Sequence, residues 1–170
     1  MDAFYLDPSA FPAWQAGAAA AAAHRAERRW SDMRAFFAGQ PADGADPVIY
    51  EVYTWPPQGA GSTDLDVSLT LLMAGRIGDE PFHTKGHFHH DPDGPEYVSV
   101  VSGEGILERA TRSGLVESVA LRAGVQTLVP AGWAHRVLNP GPAPLAFVSI
   151  ASRHVGHDYG GVRVAGWVRP

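Results

Sequence analysis

The chain is 170 residues long with a formal net charge of -5, enough for one ordinary domain that buries about 70% of its unfolded surface. It has no cysteine, so disulfides and thiolate metal ligands are excluded, and any metal must be held by imidazole, carboxylate or water. The acidic balance and the lack of a long basic run argue against a nucleic-acid partner and point to a small molecule.

The first residues, Met1-Asp2-Ala3-Phe4-Tyr5-Leu6-Asp7-Pro8, are acidic and prolyl where a signal peptide would be basic and then apolar. Ala16 to Ala23 is the longest run there without a polar side chain, far short of the roughly 20 apolar residues that cross a bilayer. The expectation is a cytoplasmic protein with no membrane partner. Residues 10–39 are rich in alanine, arginine and other helix formers and carry no β-branched residue, which predicts helix. Pro12 suits a first helical turn, Ser31 an N-cap, and Gly39 a left-handed stop. Trp30, Met33 and Phe37 fall at helical spacing and are expected to pack on the body of the domain. Residues 1–47 are therefore read as a helical extension packed on a β domain of residues 48–170.

Pro41 to Asp46 is a turn-forming connector, and from Val48 short runs rich in valine, leucine and tyrosine alternate with glycine and proline. The predicted strands are 48–55, 65–73, 84–89, 96–102, 105–111, 116–121, 125–129, 134–139, 145–151 and 162–168. Turn residues at Ser102-Gly103, Ser113-Gly114, Ala123-Gly124 and Pro140-Gly141-Pro142 set the rhythm of a small barrel or jelly roll. No fixed-period repeat supports a second domain.

The chemistry is concentrated in Gly86-His87-Phe88-His89 and, six residues on, Glu96-Tyr97-Val98. In extended chain, i and i+2 share a face, so His87 and His89 can present two imidazoles to one ion while Phe88 points away. The loop His90 to Pro95 returns the chain so that Glu96 can add a carboxylate. A third imidazole is available from His135, just after the Pro130-Ala131-Gly132 turn. Three histidines and one glutamate leave positions open for water or substrate, as a reactive site requires.

Together the two segments resemble the paired motifs of the cupin superfamily over residues 86–139. The longer gap before Glu96, with Thr84-Lys85-Gly86-His87-Phe88-His89, Gly132-Trp133-Ala134-His135-Arg136-Val137-Leu138-Asn139 and Gly156-His157-Asp158-Tyr159-Gly160, resembles the cupin-type phosphoglucose isomerases best known from archaea. A looser match covers Leu69-Thr70-Leu71-Leu72 and Gly75-Arg76-Ile77-Gly78.

The resemblance implies a mainly β, single cupin barrel that interconverts glucose 6-phosphate and fructose 6-phosphate. It implies His87, His89, Glu96 and His135 as ligands of one divalent ion, Fe2+ in the first place, with Mn2+, Ni2+ or Zn2+ able to replace it. Positions matching Thr70, Thr84 and Gly86 lie near the substrate phosphate, joined by either Tyr50 or Tyr53. Tyr159 matches a tyrosine lining the site, and His157 is a further candidate to line it. With Glu96, these are the candidate catalytic residues. Two family tyrosines are replaced by Val98 and Ala151. Strict alternation would put Lys85 rather than Thr84 on the histidine face, unless Gly86 breaks it, and Lys85 is read as a solvated surface residue. His24, His83, His90 and His154 are read as surface or local hydrogen-bonding residues. A closed two-fold homodimer is expected. The alternatives are a metal-dependent cupin dioxygenase and a non-catalytic phosphosugar-binding module.

Overall fold

The computed structural model describes residues 24–55, 65–162 and 167. Two antiparallel sheets face each other across the core. The first has strand order β1-β2-β3-β11-β6-β9 and the second β4-β5-β10-β7-β8. The strands are β1 His24–Arg29, β2 Val48–Thr54, β3 Leu65–Leu72, β4 Arg76–Ile77, β5 Glu80–His83, β6 Glu96–Ser102, β7 Glu104–Ala110, β8 Val116–Arg122, β9 Gln126–Val129, β10 Ala134–Asn139 and β11 Leu145–Ser152. β11 lies between β3 and β6, distant in sequence, so the sheet closes by non-local pairing into the double-stranded β-helix of a cupin. Among the described residues, no helix is long and apolar enough to cross a membrane.

Alternation explains which side chains enter. Along β6, Glu96, Val98, Val100 and Ser102 are buried, while Tyr97, Ser99 and Val101 are only half-buried, the period-2 signature of a strand with one face inward. Val98, Val100, Leu107, Val129, Val137, Leu145 and Phe147 form part of the interior between the sheets. Asn139, fully buried at the end of β10, ties the sheets together. Its amide nitrogen lies 3.0 Å from the Leu72 carbonyl, 3.1 Å from Met73 and 2.9 Å from Ala143, and its oxygen accepts the Gly141 N–H at 3.0 Å. Asn139→Ala leaves those carbonyls buried without a donor, and denaturant unfolding should show a loss of about 3 kcal/mol.

The helical reading of residues 10–39 is corrected at its described end, since residues 10–23, with Pro12, lie outside the described residues. His24–Arg29 is a strand, paired antiparallel with β2 in the register Arg25↔Tyr53, Ala26↔Val52 and Arg28↔Tyr50. Helix propensities amount to only tenths of a kcal/mol per residue. Pairing along the open edge of β2 outweighs them, aided by a polar cluster in which Arg25 pairs with Glu51 and the Tyr53 hydroxyl donates to the same carboxylate. Among the described residues the one α-helix, α1, spans Trp30–Met33 and continues as a 3-10 turn through Phe36. The residue before it is Arg29 rather than Ser31, and the Ser31 N–H is taken by Asp46 at 2.7 Å. Gly39 is not left-handed. Met33, Phe36 and Phe37 do pack into the core, with Trp30 against it.

Residues 84–89 form no continuous strand. Gly86 has φ +72°, which breaks the pleat, and only two bridges remain, His87 to His135 and Phe88 to Asp158. Of the expected strand 162–168, Val162 lies in a 3-10 turn and the rest, apart from the buried Trp167, lies outside the described residues.

Candidate metal centre and active-site cavity

Four side chains from three segments converge inside the barrel. Glu96 opens β6, His135 sits near the start of β10, and His87 is held against it by reciprocal backbone hydrogen bonds of 3.1 and 3.0 Å. His89 follows two residues later, with the Phe88 side chain between them buried in the core. One nitrogen or oxygen from each of His87, His89, Glu96 and His135 lies within 4.8 Å of every other. Glu96 Oε2 is 3.4 Å from His89 Nε2 and 3.3 Å from His135 Nε2.

The His89 Nδ1–H donates to the Gly94 carbonyl at 2.6 Å, which fixes the ring and leaves Nε2 bare toward the cluster, the arrangement that supports a ligand histidine. His87 Nε2 is buried without a hydrogen-bond partner, an omission that costs free energy unless a ligand satisfies it. Burial of His87, reinforced by His135, holds its pKa well below the usual histidine value. Burial opposes the charge on His89, but the Glu96 carboxylate and Gly94 carbonyl outweigh it and raise its pKa. For Glu96, burial alone would favour the acid, yet His135, His89 and His87 hold the carboxyl well below its ordinary range. Three imidazoles and a carboxylate make a donor set that a divalent first-row ion takes, with coordination positions left over.

The cluster opens onto a cavity of about 370 Å³, lined by His87, Glu96 and His135 at the metal centre and by Tyr50, Thr70, Thr84 and Gly86 elsewhere on the wall. That volume suits a small molecule. His157 and Tyr159 also line it, with ring centroids 4.2 and 5.8 Å from His87. Burial lowers the pKa of His157 and raises that of Tyr159. His89 stands behind the wall within the ligand cluster. Val98 and Ala151 line the cavity beside Glu96.

Tyr53 is a correction. It belongs to a second apolar cluster with Leu69, Leu71 and Ala146, and its hydroxyl serves Glu51. Side chains alternate along β2, so only Tyr50 of the two faces the cavity. Lys85 is a second correction. With the pleat broken at Gly86, Thr84 and Lys85 both line the cavity, and the Lys85 ammonium stands 5.7 Å from the Tyr159 ring and 5.8 Å from that of Phe36. Burial, then the nearby Arg28, lowers its pKa. His83 is buried, its Nδ1 2.9 Å from the Thr84 carbonyl and its ring on Phe37. Sequence reasoning passed over Asp66, Ser68, Ser149 and Arg153, all on the cavity wall. The inward alternation of β3 and β11 carried the signal for Asp66, Ser68 and Ser149.

Comparison with known proteins follows the same lines. In solved structures, a recombinant oxalate oxidase in complex with glycolate matches with TM-score 0.52 at 20% identity, over 64% of this chain and 53% of that one. A Lactobacillus farciminis oxalate decarboxylase formate complex matches with TM-score 0.51 at 17% identity, over 64% and 30%. These likenesses are of fold alone. Closer in sequence are the glucose-6-phosphate isomerase of Thermococcus kodakarensis, 38% identical over 82% of this chain and 76% of the relative, and that of Pyrococcus furiosus, 36% identical over 85% and 79%. The family model for glucose-6-phosphate isomerase (GPI) matches residues 27–169. A match running from β1 to the C-terminal region, together with relatives more than one-third identical over most of both chains, makes this chain a member of the glucose-6-phosphate isomerase family on a cupin barrel.

Proposed function

We infer that this protein is a metal-dependent aldose-ketose isomerase that interconverts glucose 6-phosphate and fructose 6-phosphate. The observation that carries the reading is the convergence of His87, His89, Glu96 and His135 on one wall of a sugar-sized cavity in a chain of this family. A divalent ion bound by those four side chains supplies the Lewis acidity that stabilises negative charge on the substrate's C1 and C2 oxygens. The barrel wall holds the carbon chain so that C1 and C2 face Glu96 and the phosphate reaches Tyr50, Thr70, Thr84 and Gly86. The Thr84 hydroxyl oxygen already accepts the Val137 N–H at 3.0 Å, so its own hydrogen is free to donate to a phosphate oxygen. Tyr159 donates its hydroxyl at the sugar end, and His157 beside it accepts or returns a proton during ring opening. Two routes fit this frame. In one, Glu96 carries the proton between C1 and C2 through an enediol; in the other, hydride moves directly between the carbons and Glu96 serves only as ligand.

The resident ion in this proposal is Fe2+, with Mn2+, Ni2+ or Zn2+ as substitutes, and the enzyme works in the cytoplasm as a homodimer. Metal analysis of the purified protein and light scattering check the first and last of these. The decisive measurement is a coupled assay with fructose 6-phosphate. Turnover should vanish on chelation and return with Fe2+. Failure of metal-loaded protein to convert this or a related hexose phosphate would defeat the reading, and metal-dependent oxygen uptake would favour a dioxygenase instead.

A further inference from the structure

We infer that Arg28 and Lys85 form a cationic clamp that takes the phosphate of the substrate at the Tyr50 end of the cavity. This rests on the sugar-phosphate reading above and adds two residues, one of them on a strand the sequence disguised as helix. The sheet register orders the chemistry along the cavity. Glu96 lies opposite Ala151, and Ala151 opposite Asp66, at one end. Phe147, Thr70 and Val52 form a row further along, and Leu72, Tyr50 and Arg28 the next. Residues directly opposite on neighbouring strands share a face, so Arg28 stands beside Tyr50 on the inward side of β1. From the facing wall, Lys85 lines the same cavity and rests its ammonium near the rings of Tyr159 and Phe36. Burial is the main influence on Tyr50, Tyr159 and Lys85, raising the pKa of the two tyrosines and lowering that of the lysine, and the positive charge of Arg28 acts on each as a lesser one.

Neither cation forms an ion pair among the described residues, although Asp32 exerts some attraction on Lys85. Two positive groups held near one another without a carboxylate between them repel, and a dianion placed there relieves that repulsion. The hydroxyls of Tyr50, Thr70 and Thr84 orient a phosphate but leave its charge uncompensated. Arg and Lys supply the missing charge, Arg through a planar fork matched to phosphate oxygens and Lys as a point charge.

The test uses full-length, metal-loaded protein carrying Arg28→Gln, Lys85→Met or both. Each single change should raise KM for fructose 6-phosphate roughly tenfold to a hundredfold while kcat stays within about threefold. Inhibition by inorganic phosphate should weaken in parallel, metal content should hold, and Arg28→Lys should recover most of the affinity. Unchanged KM and unchanged phosphate inhibition in the double variant would overturn the clamp. So would a joint fall of kcat, melting temperature and metal content, since that marks a structural role. Calorimetric binding of inorganic phosphate to the wild type separates this proposal from the isomerase reading. Phosphate binding that the double variant loses, in a protein that turns over no sugar phosphate, would support the anion site and defeat the substrate assignment. Absence of phosphate binding alongside normal turnover would defeat the clamp alone.

Discussion

Glu96→Gln lowers fructose 6-phosphate turnover by about a thousandfold or more, and the variant purifies with sub-stoichiometric metal. The substitution keeps the shape of the side chain and removes its charge, so it isolates electrostatics from packing. In the native protein the carboxylate lies 3.3 and 3.4 Å from two imidazoles, and the three histidines hold it ionised despite its burial. It is the only anionic donor of the cluster, so without it the site offers a divalent ion neutral nitrogen alone. Loss of a Lewis acid worth several kcal/mol corresponds to a thousandfold or more in rate, at about 1.4 kcal/mol per factor of ten. Glu96 faces Val129 and Ala151 across the sheet, and an isosteric amide disturbs neither, so the metal-free melting temperature should move little. Full metal occupancy with turnover within about tenfold of the wild type would show that Glu96 is neither ligand nor base.

The sequence showed the barrel because its strands alternate and its turns are built from glycine and proline, both local signals. It showed the metal centre for a related reason. His87 and His89 are two residues apart, and the glycine and proline turns around Glu96 and His135 announce where chain reversals bring them back. The losses have physical causes too. His24–Arg29 contains no β-branched residue, and what makes it a strand is the open edge of β2, a partner more than twenty residues away that no local pattern reveals. Arg28 was hidden with it. Tyr50 and Tyr53 could not be separated until the register was known, because both belong to one strand and only its phase decides which faces the sugar. Lys85 was misread because a lysine side chain is ordinarily solvated, and the break in the pleat at Gly86, which lets Thr84 and Lys85 both reach the cavity, has no counterpart in a simple alternation.

That same glycine makes the second large expectation: Gly86→Ala should cost about 3 kcal/mol of stability and about a hundredfold in kcat, even with saturating metal. The backbone there has φ +72°, a conformation that costs an alanine about 1–2 kcal/mol by itself. Space is also lacking. A Cβ would stand 2.9 Å from Trp167 Cε3, 3.1 Å from Arg136 Cβ and 3.2 Å from the His135 carbonyl oxygen. That carbonyl accepts the His87 N–H, so relieving the clash moves His87 relative to His135, and a ligand set tolerates displacement of only a fraction of an ångström. Gly124→Ala supplies the comparison. Its φ is +84°, but nothing lies within 4 Å of the added carbon, so it bears the backbone cost alone and should leave turnover intact. If the two substitutions proved equal in both stability and kcat, the close approach at Gly86 would have no part in holding the metal centre.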